Sequence, residues 1–150
     1  MVKAKIKIRP AVLADAKEMW ALERSLAREG VLWGEVPNSR AVIKSRIGPL
    51  AFVAEANGRL VGHIIGVVRK STNICIFRKG QRYVELNAIF ISRNWRGRGV
   101  GGLLVRMLIK EARKQGFKRF LVYTASKELE RAIRFYRGVG FRTWCANLFI

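Results

Sequence analysis

The chain has 150 residues, half of them hydrophobic, which suits one domain with one core. Thirty Lys and Arg against ten Asp and Glu leave a net charge of +20, an excess that attracts polyanions and steers anionic ligands without naming a partner. Two cysteines and one histidine are too few for an ordinary structural zinc site, so no metal is expected, and a nucleophile–histidine mechanism would rest on His63 alone.

Residues 2–9 alternate. Val2, Ala4, Ile6 and Ile8 share one face, and Lys3, Lys5, Lys7 and Arg9 share the other, which predicts a half-buried strand ended by Pro10. No apolar run follows that could serve as a leader, and none in the chain approaches the length of a membrane span, so the expectation is a soluble, cytoplasmic protein with no membrane contact. No linker, repeat or low-complexity stretch divides residues 1–150, which read as a single domain.

Leu13, Ala16, Met19, Trp20, Leu22 and Leu26 fall at near-helical spacing and predict an amphipathic helix over 12–28. A loop follows over 30–38, and Asn38 or Ser39 can cap a short second helix that stops before Gly48-Pro49. Asn57-Gly58 between the apolar runs 50–55 and 60–68 is a strong hairpin signal. His63 lies inside the second run and reads as a packed or half-exposed strand histidine. Residues 69–82 are basic and irregular, with Ile74 to Phe77 able to form an extra strand. Tyr83 to Ser92 predicts a strand, a Gly-rich loop covers 96–102, and an apolar helix runs to about Gln115, closed by Gly116. A strand from Arg119 to Thr124, a helix from Leu129 to Arg137 and a last strand from Phe141 complete a mixed α/β order, βααβββαβαβ.

The sharpest local feature is Arg96-Gly97-Arg98-Gly99-Val100-Gly101-Gly102, between a strand and a helix. Glycines let backbone approach a ligand closely, and the helix start offers unpaired N–H groups and a positive dipole end suited to a pyrophosphate. A P-loop would need Lys-Ser/Thr after the last Gly, and none is present. The bare dinucleotide spelling Gly-x-Gly-x-x-Gly is met, but late in the chain, after an antiparallel hairpin, and with no acid at the end of the next strand.

Arg96-x-x-Gly99-x-Gly101 resembles the acetyl-CoA loop of the GNAT superfamily. Ile8-Arg9-Pro10-Ala11 with Asp15 is similar to that family's opening, and Val53-Ala54-Glu55 with Gly58 and Val61-Gly62 to its second hairpin. Ala132 to Phe141 resembles its late Ala-x-x-x-Tyr-x-x-x-Gly-Phe segment. The resemblance covers nearly the whole chain in order. It implies a GNAT-like fold, with a mostly antiparallel central sheet, one splayed parallel pair and flanking helices. It also implies an N-acetyltransferase that uses acetyl-CoA and no metal. The pantetheine arm is expected along Phe90 and Ile91, with Ile89 nearby and the Ile91 N–H matching the oxyanion donor. The pyrophosphate is expected on the amides of Arg98, Gly99, Val100, Gly101 and Gly102, with Arg96 and Gly97 completing the cofactor loop. Tyr136 occupies the position of the leaving thiolate's proton donor. Glu85 matches the strand glutamate that acts as base toward lysine in one branch, and its structural alternative is a salt bridge, with Arg82 as a candidate partner.

Two departures stand out. Leu129 holds a position where the family often has an Asn touching the pantetheine, so that contact is absent or moved to Ser126. The chain ends soon after Phe141, so the family's last hairpin is expected to be short or lost, leaving the acceptor side open or completed by a second subunit; monomer and homodimer both remain. The acceptor is expected to be a protein or peptide amine, either an N-terminus or a lysine. The charge keeps two alternatives, an RNA-linked amine such as aminoacyl-tRNA and a nucleic-acid-binding module without catalysis. Convergence of Lys3, Lys5, Lys7, Arg78, Lys79 and Arg82 on one face beside the acceptor groove would favour them.

Overall fold

The computed structural model describes residues 4–30, 38–124 and 126–144. Five strands form one sheet in sequence order: β1 (Ile6–Pro10), β2 (Ala51–Ala56), β3 (Arg59–Lys70), β4 (Arg82–Ile91) and β5 (Phe120–Val122). The first three pairings are antiparallel and the last is parallel. Helices α1 (Ala16–Arg28) and α2 (Arg40–Arg46) cover one face, and α3 (Val100–Lys114) and α4 (Leu129–Gly138) pack on the other.

Strand alternation builds these two cores. Ala51 and Val53 pack with Met19 of α1 and Ile43 of α2, whereas Phe52, Ala54 and Ala56 pack with Leu104 and Leu108 of α3. β2 and β3 join through Asn57 and Gly58, both at positive φ, as that dipeptide predicts. α2 begins where Ser39 Oγ accepts from the Val42 N–H at 3.2 Å. α3 ends at Gly116, with φ of 89°. Two glycines of β3 let α3 lie close to the sheet. A Cβ on Gly66 would meet Leu108 of α3 at 2.9 Å, and one on Gly62 would meet Ile91 of β4 at 2.9 Å and Leu104 of α3 at 3.4 Å.

Three elements differ from expectation. Residues 74–77 form a turn, not a strand, because β3 continues to Lys70 and Ser71 closes the hairpin with Gln81 and Gly80. β5 holds three residues, shorter than Arg119 to Thr124, because β4 leaves it after Leu86. Residues 141–144 form no strand, and the rest of the expected last strand lies outside the described residues.

Arg9 ties the first elements together. Its guanidinium bonds both oxygens of Asp15 at 2.8 Å and Glu55 Oε1 at 2.7 and 2.9 Å. Asp15 Oδ2 also accepts from the Val12 N–H at 2.8 Å. The bonds from Arg9 hold the Asp15 carboxyl below its ordinary range. Its contribution to stability is therefore complete above about pH 4 and is lost as pH falls through the lowered value. Arg9→Met should cost about 2 kcal/mol at pH 7 by urea unfolding, since two carboxylates lose their partner. The difference from the parent should shrink once the pH falls below the folded-state value of Asp15, and an undiminished difference there would assign the loss to packing.

Candidate active site

One extra residue in β4 makes the site. Leu86 pairs with Gly66 and Ala88 with Ile65, so Asn87 has no partner on β3 and the strand bulges. β5 follows β4 only over Val84 to Leu86. Beyond that point the two parallel strands part, and a cleft of ≈ 480 Å³ opens between β4, the start of α3 and α4.

The edge of β4 facing this cleft carries free peptide groups. Ser92 N–H donates to Val61 O at 2.9 Å across β3. By strand alternation Phe90 also turns its peptide groups to β3, while Ile89 and Ile91 turn theirs into the cleft. Ile91 O is already taken by Arg96 Nε at 3.0 Å, which leaves its N–H. Phe90 and Ile91 both line the cleft, but the peptide groups of Phe90 face β3, so Ile89 is the better second backbone partner.

The glycine loop closes the cleft's end. Gly97 and Gly99 hold left-handed φ of 70° and 82°, a conformation that favours glycine. Among the described residues no acceptor meets the N–H groups of 97–102. They precede or open α3, whose first backbone bond is Leu103 N–H to Gly99 O at 3.1 Å. A row of unsatisfied donors at a helix start is an anion seat. Arg96, Gly97, Gly99, Val100, Gly101 and Gly102 line the cleft; Arg98 does not, and its guanidinium lies 5.2 Å over the Trp95 ring.

Arg96 has a structural task. Its two terminal nitrogens bond the Glu29 oxygens at 2.6 and 3.0 Å, and these bonds hold the Glu29 carboxyl below its ordinary range. The loop is thus fastened to the end of α1 and, through Nε, to the end of β4.

Tyr136 lines the cleft from α4, edge-on to Phe135 and Phe141 at 5.0 and 5.8 Å between centroids. Burial pushes its phenol up to about 12, so the hydroxyl keeps its proton at any physiological pH and is available as a donor. Ser126 also lines the cleft. Glu85 does not. It sits one turn of the strand below, where its Oε1 accepts from Asn87 Nδ2 at 3.1 Å and from Arg69 at 3.4 Å, while Oε2 bonds nothing described. Its ion-pair partner is Arg69 across β3 and not Arg82, whose guanidinium lies over the Phe117 ring.

Several residues of the site escaped the sequence reading. Asn87 lines the cleft and Arg46 of α2 bonds its Oδ1. No local signal marks Asn87, since Glu85 and Asn87 alternate with Leu86 and Ala88 as in a regular strand. His63 is fully buried, as its apolar run allows, but it bonds Glu23 Oε1 of α1 at 3.1 Å. The basic residues do not converge. Lys5 precedes β1 and Lys7 sits on it, at the end of the sheet where β2 and β3 turn. Arg78, Lys79 and Arg82 sit at the opposite end, and Lys3 lies outside the described residues. Among the described residues there is no group of acids, His and Cys that could hold a metal ion, and no helix long and apolar enough to cross a membrane.

The loop glycines differ in what they do. Gly99 has open space around a notional Cβ but a left-handed backbone, so Gly99→Ala should strain the loop by about 1–2 kcal/mol. A Cβ on Gly101 would stand 3.0 Å from the Phe135 ring and push α4 outward. Gly99→Ala should therefore weaken acetyl-CoA binding several-fold in calorimetry. Gly101→Ala should lower turnover more than affinity, by moving the neighbouring Tyr136. Parent-like behaviour of both variants would contradict this division.

Comparison with known proteins supports the same assignment. Residues 16–141 match the acetyltransferase (GNAT) family. An uncharacterized N-acetyltransferase of Methanocaldococcus jannaschii is 33% identical over 90 residues, 60% of this chain and 38% of that protein. N-acetyltransferase family 8 member 2 of Rattus norvegicus is 30% identical over 91 residues, 61% of this chain and 38% of that protein. The aligned part thus spans about two-fifths of each curated relative. Among solved structures, the aminoglycoside N-acetyltransferase AAC(6')-Iy in complex with CoA superposes with a TM-score of 0.77 at 18% identity, over 99% of this chain and 95% of that one. A ribosomal-protein-alanine N-acetyltransferase from Brucella melitensis gives 0.69 at 19%, over 97% and 99%. These likenesses carry the fold, and the match over 16–141 carries the family: the chain belongs to the acetyltransferase (GNAT) family.

Proposed function

We propose that this chain transfers an acetyl group from acetyl-CoA to a primary amine of a protein, an N-terminal α-amine or a lysine. The observation that carries the reading is the row of unbonded amides at 97–102, opening on the same cleft as the protonated Tyr136. Acetyl-CoA supplies a thioester, whose acyl carbon takes the amine as the C–S bond breaks. The chain's residues do the rest. The loop amides seat the pyrophosphate, and the Ile89 peptide groups bond the extended arm. The Ile91 N–H is the donor for oxyanion charge. Tyr136 faces the departing sulfur. With its phenol near 12 and an ordinary thiol near 8.5, full proton transfer to the thiolate would be uphill by about 5 kcal/mol, so Tyr136 acts by donating a hydrogen bond. Glu85 takes the amine's proton through its unbonded Oε2.

Charge supports a protein acceptor over an aminoglycoside. An aminoglycoside is a polycation, which a chain of +20 repels. The name of the ribosomal-protein-alanine neighbour agrees with a protein amine. An RNA-linked amine still fits the charge, but the cations divided between the two ends of the sheet offer no single basic face beside the cleft.

Tyr136→Phe should lower kcat by 10²-fold or more with acetyl-CoA affinity nearly unchanged, and unchanged turnover would leave Tyr136 as packing. Glu85→Gln separates the acceptors. A lysine amine, with a pKa near 10.4, is almost wholly protonated at pH 7, whereas an α-amine near 8 is not. With a lysine peptide the variant should lose about 10²-fold in kcat/KM at pH 7 and recover as pH rises. With an N-terminal peptide the loss should be small and flat. A large loss that no pH restores would make Glu85 a structural residue.

A further inference from the structure

A continuous polar chain runs from the buried core to Glu85. His63 Nε2 meets Glu23 Oε1 at 3.1 Å, both side chains essentially inaccessible. Glu23 Oε2 accepts from the Asn38 N–H at 3.2 Å and from Asn38 Nδ2 at 3.0 Å. Asn38 Oδ1 accepts from Arg46 Nη1 at 3.3 Å, and the same Nη1 donates to Asn87 Oδ1. Asn87 Nδ2 then donates to Glu85 Oε1 at 3.1 Å.

The chemistry of the ends dictates the orientation of the middle. A carboxylate only accepts and a guanidinium only donates, so each Asn amide between them has one permitted orientation. Asn38 must turn its NH₂ to Glu23 and its carbonyl to Arg46. Asn87 must turn its carbonyl to Arg46 and its NH₂ to Glu85. Without the guanidinium, the Asn87 carbonyl loses its partner and only the bond to Glu85 would hold the amide, leaving it freer to turn away from that carboxylate.

Arg96 and Arg131, the arginines lining the cleft, bond the carboxylates of Glu29 and Glu128. Arg46, half-buried, bonds only the two neutral amides among the described residues. We infer that Arg46 is a positioning residue for the transfer reaction, fixing through Asn87 the orientation of the Glu85 carboxylate. The inference rests on the reading of Glu85 as proton acceptor.

Arg69 of β3 and Asn87 bond Glu85 directly, while Arg46 reaches it only through Asn87, and Glu23 only through Asn38, Arg46 and Asn87. Removing the guanidinium therefore loosens the one amide donor that aims the Glu85 carboxylate.

The test is a double-mutant cycle on the full chain with acetyl-CoA and whichever peptide amine, α or lysine, the parent acetylates faster. Arg46→Met should lower kcat/KM about tenfold at pH 7 and leave acetyl-CoA affinity intact. Arg46→Lys keeps one cationic donor for the Asn87 carbonyl and should restore most of the loss. In the Glu85→Gln background, Arg46→Met should add almost nothing. An equal loss with and without Glu85 would overturn the inference, as would a parent-like kcat/KM in an Arg46→Met that melts at the parent's temperature. If Arg46→Met does not fold, Arg46→Gln carries the same comparison. No effect of Glu85→Gln alone would instead remove the base reading, and the positioning role with it.

Discussion

Everything at the site depends on the single extra residue that β4 carries at Asn87. A regular β4 would continue beside β5 and consume its own peptide groups in the ladder. The bulge bends the strand so that pairing stops at Leu86 with Val122, and the next edge is left open. Unpaired strand edges are ordinarily a liability, since they invite other chains. Here the start of α3 and the body of α4 wall the gap, so the free groups of Ile89 and Ile91 face a confined cleft. Gly62 and Gly66 let α3 approach the sheet closely, which places its unbonded N-terminal amides at the end of that opening.

The acids of this basic chain are placed sparingly and mostly bonded. Asp15 and Glu55 share Arg9, Glu29 holds Arg96, Glu23 meets His63, and Glu85 meets Arg69. The exposed pairs Glu111 with Lys114 and Glu128 with Arg131 contribute little. Arg9 with Glu55, Glu23 with His63 and Glu29 with Arg96 are more buried and join residues 46, 40 and 67 apart in sequence. Arg96 with Glu29 couples the glycine loop to α1, and the His63 to Glu85 chain couples the core under α1 to the strand below the cleft. The +20 charge therefore coexists with a site whose internal charges are locally balanced.

Much of this architecture is legible in the sequence because it depends on local rules. Asn57-Gly58 demands a tight turn, Gly97 and Gly99 demand left-handed backbone, and the spacing of Leu104 and Leu108 demands a buried helix face. The glycine loop, Tyr136 and the edge of β4 come together as the family resemblance implies. What stays hidden is set by pairing over long separations. The bulge depends on the register of β4 against β3, which no window around Asn87 contains. Arg46 lies 41 residues from Asn87, and Glu23 lies 40 from His63. Arg96 reads as a phosphate ligand in sequence because Glu29, 67 residues earlier, is not visibly its partner. Phe90 reads as a backbone contact because the direction of its peptide groups follows from Ser92 bonding Val61.

The claim that the open edge of β4 and the unbonded loop amides are the seat of acetyl-CoA can be measured residue by residue. Amide hydrogen exchange, followed with and without saturating acetyl-CoA, reports the protection of each N–H. The account predicts that exchange slows at Ile89, Ile91 and 98–102, with little change at Phe90, whose N–H β3 already protects. Slowing confined to other segments, or none at the loop despite demonstrated binding, would contradict it.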